Sequence, residues 1–311
     1  MPHILVLGGG LTGLSAALEL QKLGLPYTLI EVKPRPGGAI ASRRQDGFVF
    51  DGGPLLLERY EAWPWLAELG LSDAVRHFAP YRDGELVWFE RGTQQLTDAL
   101  AGRLTRVILT RMAASSIGPL DGSLGVCLEN GVLHRADAVI AAIPARYAAH
   151  LLYDLAPDAA ILLDDFRYDP VARVSLGYRR ADLTAALPEA DGTRIKFLQA
   201  LTMPERVPEG GVYVRAGVRV KPGESETDWI EAVRAVVGPA EPVSVWARYW
   251  PEADPLTSRL PEFSETLAAI RAGLPARVAL CGSDYGARRM DEQMTAGREA
   301  ARQVAAALRS A

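Results

Sequence analysis

The chain is poor in the residues that build metal and disulfide sites. Its 311 residues include two cysteines, Cys127 and Cys281, and four histidines, His3, His77, His134 and His150. Two isolated cysteines form neither a C-x-x-C redox pair nor a zinc cluster, and the histidines show no ligand spacing, so no metal centre is expected. Low cysteine usage fits a reducing cytoplasm, where the chain is predicted to reside. Excess basic charge is also missing: 34 Lys and Arg stand against 38 Asp and Glu, a net charge of −4. That disfavours nucleic acid as a partner, because phosphate binding calls for a basic surface. The pairs Arg43-Arg44, Arg179-Arg180 and Arg288-Arg289 read as solvated surface. Long apolar runs are absent too, since nothing approaches the ~20 residues of a spanning helix. Residues 4–20 are apolar, but glycines interrupt them and no charged leader precedes them, which predicts buried structure rather than a signal sequence. No integral membrane segment is expected, and the partner is a small-molecule substrate.

What is present is an ordinary globular composition, 49% hydrophobic and 23% charged. The length suits one large domain or two interleaved ones. Residues 3–20 read HILVLGGGLTGLSAALEL, in which Gly8, Gly10 and Gly13 meet the G-x-G-x-x-G spacing. Residues 3–7 form a short β-prone run, residues 11–23 show helical periodicity ending at Gly24, and residues 26–32 read as a second strand with Glu31 near its end. Strand, glycine turn, helix, strand and acid make up a dinucleotide-binding unit. Gly8 permits the turn, Gly10 lets the backbone approach a pyrophosphate, and Gly13 lets the helix pack on the strand. The helix N-terminus offers free N–H groups and a positive dipole end to the phosphates. A carboxylate at Glu31 binds ribose hydroxyls and repels a 2′-phosphate, which disfavours NADP.

The next residues, EVKPRPGGAIASRRQDGFVFDGGP, separate NAD from FAD. They resemble the second fingerprint of the FAD-dependent amine oxidase and protoporphyrinogen oxidase superfamily, which also contains carotenoid desaturases and renalases. The resemblance implies that Arg35 neutralises the pyrophosphate, that Gly37-Gly38 run beside it, and that Lys33 is a second basic contact. Ala39 stands where the family usually has arginine. FDGGP, ending at Pro54, resembles the segment passing close to the isoalloxazine ring. Residues 92–104, GTQQLTDALAGRL, resemble the family's return to the FAD domain. The strand-like piece after them implies Met112 along the adenine, a polar hairpin is expected at 121–131, and residues 138–143 read as a central strand ending at Pro144. The C-terminal RVALCGSDYGARRMDEQMTAGREAARQVAAAL resembles the family's closing motif. It implies Gly282, Ser283 and Asp284 at the ribityl and phosphate groups. Met294 is expected at the start of the last helix with its N–H towards flavin O2, and Thr295–Gly297 complete that turn.

The implied cofactor is non-covalent FAD, because no cysteine occupies the position of a covalent flavin attachment. The cofactor site implied by the resemblance is Gly8, Gly10, Leu11, Thr12, Gly13, Glu31, Val32, Lys33, Arg35, Gly37, Gly38, Ala39, Gly53, Pro54, Met112, Gly282, Ser283, Asp284, Met294 and Thr295. The expected fold is α/β: a Rossmann-like FAD-binding domain with a parallel sheet, plus a smaller interleaved α+β substrate domain with a reduced helical lid. The FAD-binding domain is assigned to 1–55, 92–147 and 273–311, and the substrate domain to 56–91 and 148–272. Only about forty residues, with the aromatic RYEAWPWLAELGL, replace the family's long helical insertion, which leaves the flavin side more open to water or to a bulky substrate.

Candidates near the reacting centre are Arg173, Tyr249, Trp250 and Arg289. Arg173 falls where amine oxidases commonly carry lysine, and Arg289 where they carry an aromatic residue of the amine cage. Arginines there repel a protonated amine and suit carboxylates or phosphates. WPEADP at 250–255 resembles a run that precedes the last motif in protoporphyrinogen oxidase-like members. No general base is singled out. The resemblance implies an FAD-dependent oxidoreductase transferring hydride from a substrate C–H to flavin N5. Protoporphyrinogen oxidase-like, desaturase-like and renalase-like chemistry rank together, with an anionic or hydrophobic substrate. The alternatives are an amine oxidase, or a non-catalytic flavin-binding protein whose partner completes the site.

Overall fold

The computed structural model of the chain describes residues 2–183, 186–253 and 255–310. Asp254, within the WPEADP run, lies outside them. The N-terminal unit forms as its periodicity dictates: β1 (Ile4–Leu7), α1 (Leu11–Lys22) and β2 (Tyr27–Glu31). A hairpin follows, β3 (Ser42–Gln45) and β4 (Phe48–Asp51), and then β5 (Leu57–Arg59), α2 (Trp65–Leu69), β6 (Val75–Tyr81) and β7 (Gly84–Phe89). Helix α3 (Gln94–Arg103) and β8 (Ile108–Thr110) return the chain to the first sheet. A meander of β9 (Ala114–Leu120), β10 (Ser123–Leu128) and β11 (Leu133–Ala136) leads into β12 (Ala138–Ala141). After α4 (Ala145–Leu152) and α5 (Pro157–Asp164) come β13 (Val171–Arg179), β14 (Ile195–Leu201), β15 (Gly211–Arg219), α6 (Glu226–Val237) and β16 (Ser244–Trp250). The chain closes with α7 (Phe263–Ala272), β17 (Val278–Leu280) and α8 (Met290–Arg309).

The first sheet runs β17-β12-β1-β2-β8, and every pair is parallel. Strands β17, β12 and β1 are wholly apolar because both faces of the sheet are covered there. Ile4, Val6 and Ile140 face a core built with α1, α3 and α8, whereas Leu5, Leu7 and Val139 face one built with α4, α5, α7 and the meander. Helices α5 and α7, from the segment assigned to the substrate side, therefore pack on the cofactor-side sheet.

The second sheet is antiparallel, ordered β14-β15-β13-β16. Period-two alternation gives it two unlike faces. Ala172, Val174, Leu176, Val214, Ala216 and Ala247 pack with Val233 of α6. The opposite face meets β4: Tyr213 and Trp246 cluster with Phe48, Phe50 and Trp88. The segment expected to be a reduced helical lid holds a three-stranded sheet, β5-β7-β6, and one short α-helix, α2, whose first residue, Trp65, stacks on Trp63 of the preceding loop at 4.9 Å.

Candidate active site

Two glycine turns meet at the carboxyl end of β1. Gly8 adopts φ +98°, and a Cβ on Gly13 would lie 1.9 Å from the Gly8 carbonyl oxygen, so neither position admits a side chain. The second turn, at Gly37-Gly38, is tied to the first by a Gly37 N–H donated to the Gly9 carbonyl at 2.7 Å. A Cβ on Gly38 would come within 2.9 Å of the Gly10 Cα. The two turns thus meet backbone to backbone. Helix α1 begins at the first turn with no acidic residue in its own first turn, so its N–H groups and dipole remain available to an anion.

Glu31 is 4% exposed and accepts the Gly9 and Lys33 N–H groups, one on each oxygen, at 2.7 Å. Each oxygen keeps a lone pair for a ribose hydroxyl. Arg35 wraps the second turn, donating to the carbonyls of Pro36 and Ile40 at 3.0 and 3.2 Å. Lys33 donates to the Gly38 carbonyl at 3.2 Å, and burial pulls its ammonium below the usual lysine range. The Met112 N–H donates to the Glu31 carbonyl at 3.1 Å, which puts this residue beside the ribose end. Bare turns, an open helix start, one fixed carboxylate and two cations are groups whose chemistry suits the phosphates and ribose of an adenine dinucleotide.

Beyond these turns, Gly52 and Gly53 press against the second sheet. A Cβ on Gly52 would lie 2.6 Å from the Arg248 Cγ and 2.9 Å from the Trp246 ring. The Trp250 indole N–H donates to the Gly52 carbonyl at 2.5 Å, and Arg215 donates to the Gly53 carbonyl. Arg173 lies across the strand pair from Arg248, and its guanidinium sits 4.6 Å over the Phe197 ring. The face turned towards Gly52-Gly53 is therefore arginine interleaved with aromatic rings: Arg173, Arg215 and Arg248 with Phe197, Trp246 and Trp250. Burial pulls Arg215 and Arg248 below the usual arginine range, and Arg35 adds to the effect on Arg248.

The other sequence-derived candidates fall in different places. Tyr249 points to the far face, 43% exposed, with its ring stacked on Trp229 of α6. Arg289 precedes α8, ion-paired with Asp291 and Glu292 and stacked 5.1 Å over Tyr60. Helix α8 starts at Met290, four residues earlier than expected, so the Met294 N–H is committed inside the helix and its side chain is buried at 1%. The cue was obscure because no Ser, Thr or Asp caps this helix; the Glu292 carboxylate instead accepts the Arg288 and Arg289 N–H groups. Ser283 is exposed next to Gly282, whereas Asp284 is 3% exposed and accepts the Ala145 N–H at 2.9 Å and the Tyr168 hydroxyl. Asp284 thus caps α4, and burial raises its carboxyl above the usual range. Val32 and Thr295 are exposed, and Leu11 and Thr12 are buried in the first turn of α1. Reading the sequence missed Arg215, Arg248, Phe197 and Trp246. Their signal was weak: a lone arginine inside the apolar run VYVRAGV, and two tryptophans flanking an arginine in VWARYW.

Two family models cover the chain. An NAD(P)-binding Rossmann-like domain matches residues 6–69, and a flavin containing amine oxidoreductase matches residues 76–305. This chain belongs to the flavin containing amine oxidoreductase family. FAD is accordingly its cofactor. Over 78 residues it is 42% identical to a coproporphyrinogen III oxidase of Bacillus subtilis (strain 168), covering 22% of this chain and 17% of that protein. Over 79 residues it is 37% identical to a phytoene desaturase (lycopene-forming) of Pseudescherichia vulneris, covering 24% of this chain and 16% of that protein. The matched stretch thus spans less than a fifth of either relative. In fold it resembles a candidate protoporphyrinogen oxidase from Exiguobacterium sp. 255-15, with TM-score 0.81, 16% identity and 98% of both chains covered. It also resembles cyclohexylamine oxidase from Brevibacterium oxydans IH-35A, with TM-score 0.74, 14% identity and 99% of both chains covered. Among the described residues no helix is long and apolar enough to cross a membrane, and no group of three His, Cys, Asp or Glu could hold a metal ion.

Proposed function

We propose that this flavoprotein oxidises a C–H bond of an anionic or hydrophobic small molecule. The observation that carries the reading is the arginine and aromatic face set against Gly52-Gly53. When bound, FAD supplies a hydride acceptor at N5. The protein's part is to bind and orient. Phe197, Trp246 and Trp250 offer flat apolar surface, and Arg173 and Arg248 attract carboxylate or phosphate while repelling a protonated amine. Porphyrinogen-like or conjugated acids and dihydronicotinamides fit this wall, and amines do not. In this reading residues 1–55, 92–147 and 273–311 carry the cofactor, and 56–91 and 148–272 supply the substrate side. The two free thiols, Cys127 and Cys281, agree with a cytoplasmic setting.

The test is anaerobic mixing of the yellow holoprotein with a porphyrinogen, a dihydronicotinamide and a primary amine in turn. Bleaching of the flavin band by one of the first two, faster than by the amine, is the expected result. Fastest bleaching by the amine, or none by any of the three, would overturn the reading.

A further inference from the structure

Three cations gather where β16 meets the nucleotide-binding turns. The Lys33 Nζ lies 4.8 Å and the Arg248 Cζ 4.9 Å from the centre of the same Trp250 ring. Arg35 is close enough to act electrostatically on both. Among the described residues none of the three is in an ion pair, and Arg248 makes only ring contacts, with Trp246 and Trp250. Glu31 and Glu252 offset part of the burial cost of Lys33 from a distance, but neither pairs with it, and no described carboxylate acts on Arg248. Glu31 accepts one backbone N–H on each oxygen, and Glu252 takes the Tyr147 hydroxyl at 2.9 Å and lies 3.4 Å from Arg146.

Such a group is expensive as it stands. Half-burial strips water from Lys33 and Arg248, and mutual repulsion adds to that cost, as their lowered pKa values register. Cations left this way in a folded protein call for a counter-charge. The tryptophan ring offers partial compensation through its face, and an oxyanion would complete it. Trp250 is itself fixed by its bond to Gly52, so the cluster sits on a built frame.

We propose that Arg248 and Lys33, held about Trp250 and completed by Arg35, form an oxyanion receptor for phosphate or carboxylate, so that the second sheet as well as the glycine turns grips the bound anion. The inference rests on FAD being the cofactor. The anion has two possible sources with the same chemistry: the FAD diphosphate, or an acidic group on the substrate.

Two measurements on the full chain, made with Arg248→Met, Lys33→Met and the charge-keeping Arg248→Lys, separate the outcomes. In the first, the FAD-free protein is titrated with FAD and, separately, with riboflavin, which lacks the diphosphate, by flavin fluorescence. In the second, FAD-loaded protein is titrated with inorganic pyrophosphate and with benzoate, reading the flavin absorbance band. If the diphosphate is the ligand, Arg248→Met weakens FAD binding by about tenfold or more with riboflavin unchanged, and Arg248→Lys restores most of the affinity. If the substrate anion is the ligand, FAD affinity is unchanged but the response to pyrophosphate or benzoate is lost in Arg248→Met and Lys33→Met. Unchanged FAD affinity together with an unchanged anion response in both methionine variants would overturn the proposal. A wild-type protein that binds no FAD would instead defeat the cofactor assignment. Should Arg248→Met fail to fold, Lys33→Met and Arg248→Lys carry the same comparison.

Discussion

Arg206 and Asp51 form the most deeply buried ion pair among the described residues, at 0% and 1% side-chain exposure and 2.5 Å apart. Asp51 also accepts from the Ser42 hydroxyl and from the Thr93 N–H and hydroxyl. Arg206 donates from Nε to the Phe89 carbonyl at 2.9 Å, and its own carbonyl accepts the Val49 N–H at 2.8 Å. One guanidinium thus binds the loop after β14 to β4, immediately before the Gly52-Gly53 segment. Such a pair is weak evidence of net stability, because both charges were taken from water, but removing one partner strands the other. Arg206→Met is therefore expected to cost about 3–5 kcal/mol, read from urea unfolding. The double variant Arg206→Met/Asp51→Asn should recover part of that loss. A single variant as stable as the parent would show that Asp51 finds another partner.

Helices α1 and α8 are joined by Gly297, where a Cβ would lie 2.2 Å from the Thr12 carbonyl oxygen. Gly297→Ala must push α8 away from α1, at a cost of about 1–3 kcal/mol, and should weaken FAD binding because α1 carries the first glycine turn. Gly102, near the end of α3, is the control: a Cβ there meets nothing within 4 Å. Gly102→Ala should be neutral or stabilising by up to about 1 kcal/mol. Equal unfolding midpoints for the two variants would contradict this packing. Elements of this kind were the legible part of the sequence. The β1–α1–β2 unit could be read because glycine spacing, helical periodicity and an acid at a strand end are all local signals. The wall of the second sheet could not. Which of Val214, Arg215 and Ala216 faces inward depends on register with β13, a non-local property, and Tyr249 was misplaced beside Trp250 for the same reason. Asp284 was read from a Gly-x-Asp motif whose register the three-residue turn at Ser283–Tyr285 shifts, turning the acid to the start of α4.

At the scale of the whole molecule, that displaced acid becomes a pH sensor of stability. Asp284 links the turn after β17, the N-terminus of α4 and Tyr168 on the approach to β13. Burial raises its carboxyl above the usual value, outweighing the Tyr168 hydroxyl and the Ala145 and Ser283 contacts that lower it. The folded protein therefore holds this proton more tightly than the unfolded chain, whose aspartates titrate near about 3.9. Where the folded state binds more protons, stability falls as pH rises. The contribution of Asp284 is thus fully present below about pH 4 and is lost as pH climbs through the folded value. Asparagine keeps an acceptor oxygen for the Ala145 N–H and carries no titratable proton, so Asp284→Asn should remove this slope. Measured by urea unfolding from pH 4 to pH 7, wild type should lose stability relative to Asp284→Asn as pH rises. The difference between the two proteins isolates this residue from the other carboxylates, which titrate alike in both. Parallel profiles would mean that the carboxyl is no harder to ionise in the fold than out of it. A difference growing in favour of wild type would mean that the α4 N-terminus and the tyrosine hydroxyl stabilise the charge more than burial penalises it.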